Sequence, residues 1–389
     1  MVDISYLKKR ADALTVFRPL REDEVFSAFY RYLSEPTADS YADFVERLYE
    51  QNGGHWSRYL KKICFFSDNV LVRTVSRGVV PSDCLFDAFE KDAESLQLFA
   101  DLTTEDLAPE EAFSARFFTE PTAIAKDYRE RLVHIGKHGY GIFAEFGFFR
   151  LDGERIVPVR TPDRVRLSDL VDYERERKAV VDNTLALLGG LPAANVLLTG
   201  DAGTGKSSTI KAVANEYFSE GLRLVELKKS ELHVLPKVLE TLANNPLKFV
   251  LFVDDLSFSS DDDDFNALKA VLEGSVSART KNVVIYATGN RRHVVKEKFS
   301  DRDGDEVHKN DAMQELLSLS DRFGLQVSFF KPNKASYLNI VKKIADDARL
   351  TYDEQDLFAR AERFALSRGG RSARLARQFI DSLIAMEGI

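Results

Sequence analysis

Cysteine is nearly missing from this chain. There are two in 389 residues, Cys64 and Cys84, and they form no CxxC or other metal-like spacing. A disulfide scaffold and a cysteine-based zinc site therefore find no support, and a reduced, cytoplasmic setting is expected. Long apolar runs are missing too. None approaches the roughly 20 residues of a membrane-spanning helix, and Met1–Arg10 lacks the apolar stretch of a secretion signal. Histidine is scarce, with six in all. His134 and His138 stand at helical i, i+4 spacing, but Gly136 interrupts them and no third ligand is evident, so no metal site is expected there. Asp261–Asp264 lacks the spaced ligands and glycine of an EF-hand loop and reads as a solvated acidic loop. Positive charge does not dominate either: 54 Lys and Arg face 62 Asp and Glu, a net charge of -8. That balance does not support general binding to nucleic acid or to a membrane.

What is present is a soluble-type composition, 44% hydrophobic and 30% charged, around one stretch of definite chemistry. Gly200-Asp201-Ala202-Gly203-Thr204-Gly205-Lys206-Ser207 fits G-x-x-x-x-G-K-[ST] at every fixed position. Asn195–Thr199 before it is a short apolar run that reads as a buried strand. From Ser208 to Phe218 apolar residues recur at helical spacing. A strand, a glycine-rich loop and a helix in that order make a phosphate cradle. The glycines let the backbone turn its N–H groups inward, and the helix N-terminus adds partial positive charge. The cofactor-binding set is therefore Gly200, Asp201, Ala202, Gly203, Thr204, Gly205, Lys206, Ser207 and Ser208. Lys206 is expected to reach the β/γ-phosphates of ATP, and Ser207 to ligate Mg²⁺.

Residues 1–140 read as a mainly helical domain, with helices expected at Asp23–Leu33, Tyr41–Gln51, Trp56–Val75 and Cys84–Leu102. Its aromatic residues, Phe26, Phe29, Tyr30, Tyr32, Tyr41, Phe44 and Tyr49, are expected in the core. A partner-binding role for exposed aromatics is the weaker alternative. Asp152-Gly153 is a hairpin turn signal between two short strands, and 141–165 reads as a hairpin and linker. From Asn195 onward strands and helices alternate. Strands are expected at Leu222–Leu227, Phe249–Val253, Val283–Ala287 and Leu325–Phe330, with helices at Val234–Ala243 and Phe265–Glu273 and a helical end at Gln314–Ser320. Such alternation predicts a mainly parallel α/β sheet over 166–331. Residues 332–389 read as helices only.

The strand Phe249–Val253 ends in Asp254-Asp255. A carboxylate at that edge can share the Mg²⁺ shell with Ser207, and Asp254 is assigned that place. Asp255 is assigned to orient or deprotonate the attacking water. The next strand ends in Ala287-Thr288-Gly289-Asn290, which puts the polar side chain of Asn290 beside the γ-phosphate.

The order of P-loop, Asp254-Asp255, Asn290, an arginine before the last strand and an all-helical tail resembles the AAA+ ATPases. Val253–Phe258, Ala287–His293 and Leu319–Gly324 are similar to a bacterial AAA+ family of unknown function described as predicted ATP-binding proteins, loosely like the helicase loaders. The AAA+ resemblance covers about residues 165–389, and the narrower one is expected to extend over the amino-terminal domain. It implies an AAA+ P-loop NTPase core with a parallel sheet and a C-terminal helical lid, preceded here by the helical N-terminal domain. It also implies a Mg²⁺-dependent ATPase, with ATP and ADP as its nucleotides, that couples ATP binding and hydrolysis to conformational change or partner remodelling. Asn290 matches sensor 1, and Arg322 the arginine finger that reaches a neighbouring subunit, which implies self-association. Arg374 matches sensor 2, with Arg371 the runner-up, and Tyr173 falls at the adenine pocket. One departure stands out. The second acid is usually Glu, and Asp255 is one methylene shorter. That leaves open a slow or non-hydrolysing switch recruiting an unknown protein partner through residues 1–140, with nucleic-acid loading a third reading. The charged stretch 298–311 is expected to be a solvated loop.

Overall fold

A computed structural model describes residues 2–108, 115–256, 263–272, 281–290 and 321–387, the backbone alone at 263–267, 290 and 387. The expected helical end at Gln314–Ser320, the 298–311 stretch and Asp261-Asp262 lie outside the described residues. The chain divides into two compact units, one of residues 1–145 with 244–247, the other of 146–243 with 248–389.

The first unit is helical. Its helices are α1 (Ile4–Asp12), α2 (Glu24–Ser34), α3 (Ala38–Asn52), α4 (Trp56–Phe66), α5 (Val70–Ser76) and α6 (Asp83–Ala100), then the shorter α7 (Thr104–Leu107), α8 (Ile124–Val133), α9 (Ile135–His138) and α10 (Ile142–Glu145). The single helix expected over Trp56–Val75 is two helices. Ser67 caps the end of the first, its amide donating to the Cys64 carbonyl at 3.2 Å, and Asn69 starts the second, its side chain accepting the Val72 amide at 3.0 Å in place of a continuing helix. Phe26, Phe29, Tyr32, Tyr41 and Phe44 are buried as expected. Tyr49 is not: it is 45% exposed, with its hydroxyl donating to the Arg116 carbonyl at the surface. Tyr30 is half-buried, its hydroxyl donating to Asp12 at 2.6 Å. The core centres on Trp56, fully buried, whose ring lies 4.9 Å from Phe29 and 5.1 Å from Phe44. Its indole N–H donates to the Phe99 carbonyl at 2.7 Å. Trp56→Ala removes that packing and orphans a buried carbonyl, so a loss of about 3–5 kcal/mol is expected in denaturant unfolding.

His134 ends α8 and His138 closes the four-residue α9, so the pair does not share one continuous helix face. Among the described residues no group of three or more His, Cys, Asp and Glu could hold a metal ion. No helix among them is long and apolar enough to cross a membrane.

Among the described residues the second unit is an α/β layer of seven strands: β1 (Phe148–Asp152), β2 (Arg155–Pro158), β3 (Val196–Gly200), β4 (Leu222–Leu227), β5 (Lys248–Val253), β6 (Val283–Asn290) and β7 (Leu325–Phe329). Their order is β2-β1-β4-β5-β6-β3-β7. All neighbours run parallel except β1 and β2. The hairpin set apart as a linker is therefore part of the sheet: β1 pairs with β4 through Phe148↔Leu224 and Phe149↔Val225, and both Phe are buried. β6 also runs three residues further than the apolar pattern suggested, ending at Asn290 opposite Gly200.

Helices α11 (Glu174–Leu188), α12 (Lys206–Glu216), α13 (Leu235–Ala243) and α14 (Asp263–Leu272) connect the strands. Val180, Leu187, Ile210 and Val213 bury against Val196, Leu198, Val250 and Phe252 of the sheet. After β7 the described residues form helices only: α15 (Lys334–Asp347), α16 (Glu354–Ser367) and α17 (Ala373–Glu387), each carrying an apolar stripe into a shared core around Tyr337, Ile344 and Phe379. Asn333, Asp353 and Ser372 cap them through side-chain bonds to the amides of Ser336, Asp356 and Leu375. The unit is thus a mostly parallel α/β sheet, with the strand that leads into the glycine-rich loop inside it, followed by a three-helix bundle. The carboxyl ends of its strands are where ligands bind in open α/β sheets.

Candidate functional site

At that edge lies a cavity of about 1170 Å³. Its floor is the P-loop. Gly200 leaves β3 at φ +143, so close to β7 that a Cβ there would sit 1.9 Å from the Phe329 carbonyl oxygen. Gly203 and Gly205 follow at φ +77 and +92, conformations that side-chain-bearing residues rarely adopt. α12 then starts at Lys206, so its first N–H groups open toward the loop. Ala202 through Ser208 all line the cavity, while Gly200 and Asp201 do not. Asp201 instead braces the loop, with its amide donating to Phe329 O at 3.2 Å and a carboxylate oxygen accepting from the Lys331 amide at 3.3 Å.

Lys206 is buried inside the loop and donates to the carbonyls of Gly200 (3.1 Å) and Asp201 (2.8 Å). Burial pulls its pKa below the ordinary lysine value, while the carboxylates of Asp201, Asp254 and Asp255 oppose that shift. Ser207 Oγ donates to Asp254 Oδ1 at 2.7 Å, so the two residues expected to share a metal shell already touch. Asp255 follows at φ +56, a left-handed conformation that Asp tolerates better than most residues.

One neighbour of both acids escaped sequence reasoning. Thr288, buried in β6, donates from Oγ1 to Asp254 Oδ1 at 2.6 Å and accepts the Asp255 amide at 2.9 Å. The available signal was strand alternation, which puts Tyr286, Thr288 and Asn290 on one face. Asn290 itself lies opposite Gly200 in the backbone register, and its side chain lies outside the described residues.

The far wall comes from residues 163–173 and the helices after β7. Asn215 holds the first of these by donating to Asp163 O at 2.9 Å and Val165 O at 2.8 Å. Asp172 and Tyr173 are both left-handed, φ +66 and +62. The Tyr173 ring lies 5.2 Å from that of Phe329, and its hydroxyl donates to the Phe330 carbonyl. Burial pushes that phenol above its ordinary pKa, so it stays neutral. Ile340 and Ile344 of α15 face the same cavity.

The two candidate arginines of the tail part company. Arg371 forms a paired salt bridge with Glu362 at 2.7 and 2.8 Å. Arg374 lines the cavity, its amide donating to the Gly203 carbonyl at 3.3 Å. Arg377 lines it one turn further along α17. Arg322 sits in the turn before β7 and is not among the cavity-lining residues.

The arrangement can therefore hold a polyphosphate at the loop, a divalent cation between Ser207 and Asp254, and a flat apolar group against the far wall. Hydroxyl and carboxylate oxygens are the donors Mg²⁺ accepts, and it takes one or two carboxylates with the remaining ligands from phosphates and water.

A family model described as "Protein of unknown function (DUF815)" matches residues 144–387, well over half the chain. No curated protein matches it. Among solved structures, a RuvB mutant from Thermotoga maritima is similar at 14% identity, covering 58% of this chain and 67% of that one with a TM-score of 0.39.

Proposed function

Because the chain belongs to the DUF815 family, whose description assigns no activity, we propose from the site itself that it binds ATP with Mg²⁺ and hydrolyses it as an AAA+ type ATPase. The observation that carries this reading is the contact of Ser207 Oγ with Asp254 Oδ1 at 2.7 Å beside the P-loop. The loop amides and Lys206 hold the phosphates, and Arg374 adds positive charge from the helical bundle. Bound Mg²⁺ supplies charge neutralisation at the phosphates. Asp255 and Asn290 position the attacking water. Arg322, placed away from its own chain's cavity, acts on the nucleotide of a second copy, and turnover then moves the helices after β7 relative to the sheet.

Phosphate release measured across protein concentration tests this. Specific activity is expected to rise with assembly. Arg322→Ala is expected to keep nucleotide binding while losing about a thousandfold in assembled turnover. A fall in binding alone counts against the trans role. A second reading, an ATP-held switch recruiting a partner through residues 1–140, draws on the shorter reach of Asp255. No turnover at any concentration, with binding intact, selects it.

A further inference from the structure

Sequence patterning places the water-positioning group at Asn290, yet the hydroxyl that touches both acids belongs to Thr288. Three consecutive residues leaving β5 are tied to this one side chain and its carbonyl. Asp254 Oδ1 accepts from Thr288 Oγ1 at 2.6 Å. The Asp255 amide donates to the same Oγ1 at 2.9 Å. The Leu256 amide donates to the Thr288 carbonyl at 2.7 Å. A hydroxyl has one proton. Since it goes to the carboxylate, the lone pair meets the amide, and the chain runs one way: Asp255 N–H to Thr288 O–H to Asp254 Oδ1. Such chains polarise along their length. Ser207 donates to that same Oδ1, so two hydroxyls from two elements fix one carboxylate oxygen. Downstream, the bond to Thr288 holds Asp255 at φ +56, where a non-glycine residue needs local support.

We propose that Thr288 is a positioning residue that couples the metal-binding acid to the water-handling acid. Its hydroxyl orients the Asp254 carboxylate toward the metal shell. Its lone pair sets the backbone of Asp255 and with it the reach of the shorter carboxylate. The proposal rests on the ATP reading above. A purely structural role, closing the strand end, predicts loss of stability without the pattern below.

The test uses the full chain with Thr288→Val, which keeps the shape and removes the hydroxyl, and Thr288→Ser, which restores it. Thr288→Ala serves as the hydroxyl-free variant where the Val protein does not fold. Hydrogen exchange without nucleotide reads the first link: exchange of the Asp255 amide is expected to quicken about tenfold in the hydroxyl-free variant, with Leu256 unchanged. Calorimetry with a non-hydrolysable ATP analogue reads the second. Affinity without Mg²⁺ is expected to stay as in the wild type, while the Mg²⁺ needed for half of its effect rises about tenfold. At saturating Mg²⁺, kcat is expected to fall about 100-fold with KM held within about twofold. Thr288→Ser recovers most of each. An unchanged Asp255 exchange rate and Mg²⁺ requirement in the hydroxyl-free variant, or a Ser variant as defective as it, overturns the proposal. A wild-type chain that binds no analogue at all, with Asp255 exchange still protected by Thr288, overturns the ATP reading instead.

Discussion

Replacing Lys206 with alanine is expected to lower nucleotide affinity by at least about 100-fold. The Lys206 ammonium is held inside the P-loop by the Gly200 and Asp201 carbonyls. Its charge is surrounded by Asp201, Asp254 and Asp255, with Arg374 the opposing cation. A phosphate entering the loop exchanges those carbonyl contacts for charge-assisted bonds worth about 1.5–3 kcal/mol each. Two such bonds amount to roughly 3–6 kcal/mol, or about two to four decades of affinity. Isothermal calorimetry with and without Mg²⁺ measures this. Lys206→Met, which keeps the buried stem and loses the charge, separates electrostatics from packing. Affinity within twofold of wild type in both variants sinks the site assignment.

Gly200→Ala is expected to be more damaging still, through the fold rather than the ligand. Its new Cβ would lie 1.9 Å from Phe329 O and 2.8 Å from Phe329 C, backbone atoms that no rotamer change can move aside. β3 and β7 are paired through that position, Gly200 opposite Phe329. The substitution therefore either breaks the β3–β7 ladder or pulls the P-loop out of place, at about 3 kcal/mol or more. Gly153→Ala is the matching control. Its φ is +59, but nothing lies within 4 Å of the added carbon, so only about 1 kcal/mol is expected. Thermal unfolding of the two variants side by side distinguishes clash from backbone preference. Equal losses would mean that the close approach of β7 is not what Gly200 serves.

Much of the α/β unit was legible because its signals are local. β4 occupies Leu222–Leu227, the bounds its apolar run suggested, and β5 adds only Lys248 to Phe249–Val253. Runs of that kind, broken by Gly or Asp, mark buried strands wherever they occur. What was illegible is what depends on pairing across long separations. The 148–158 hairpin showed its turn in the sequence but not its neighbour, because alternation names a strand's faces and not its partner. The break at Ser67–Asn69 was hidden because α4 and α5 are both apolar-striped, and one Asn side chain decides between one helix and two. Tyr49 shares the spacing of its buried neighbours, yet α3 turns it to the surface.

The candidate site divides the same way. A phosphate cradle can be read from eight consecutive residues, since glycine placement, the lysine and the helix start are all local chemistry. So can a candidate metal acid at the end of an apolar run. Which of several arginines faces the cavity cannot be read so, because Arg371 and Arg374 stand three residues apart with like surroundings, and only packing gives one to Glu362 and the other to the P-loop. The contacts of Thr288 were hidden for a related reason, although alternation gave its face: its partners lie 33 and 34 residues away. The sequence by itself determined that this chain carries a glycine-rich loop of phosphate-cradle pattern on an α/β sheet, because period and turn chemistry act over a few residues. Only the tertiary structure decided which side chains converge on that loop, because convergence is set by strand order and helix docking, which local pattern does not encode.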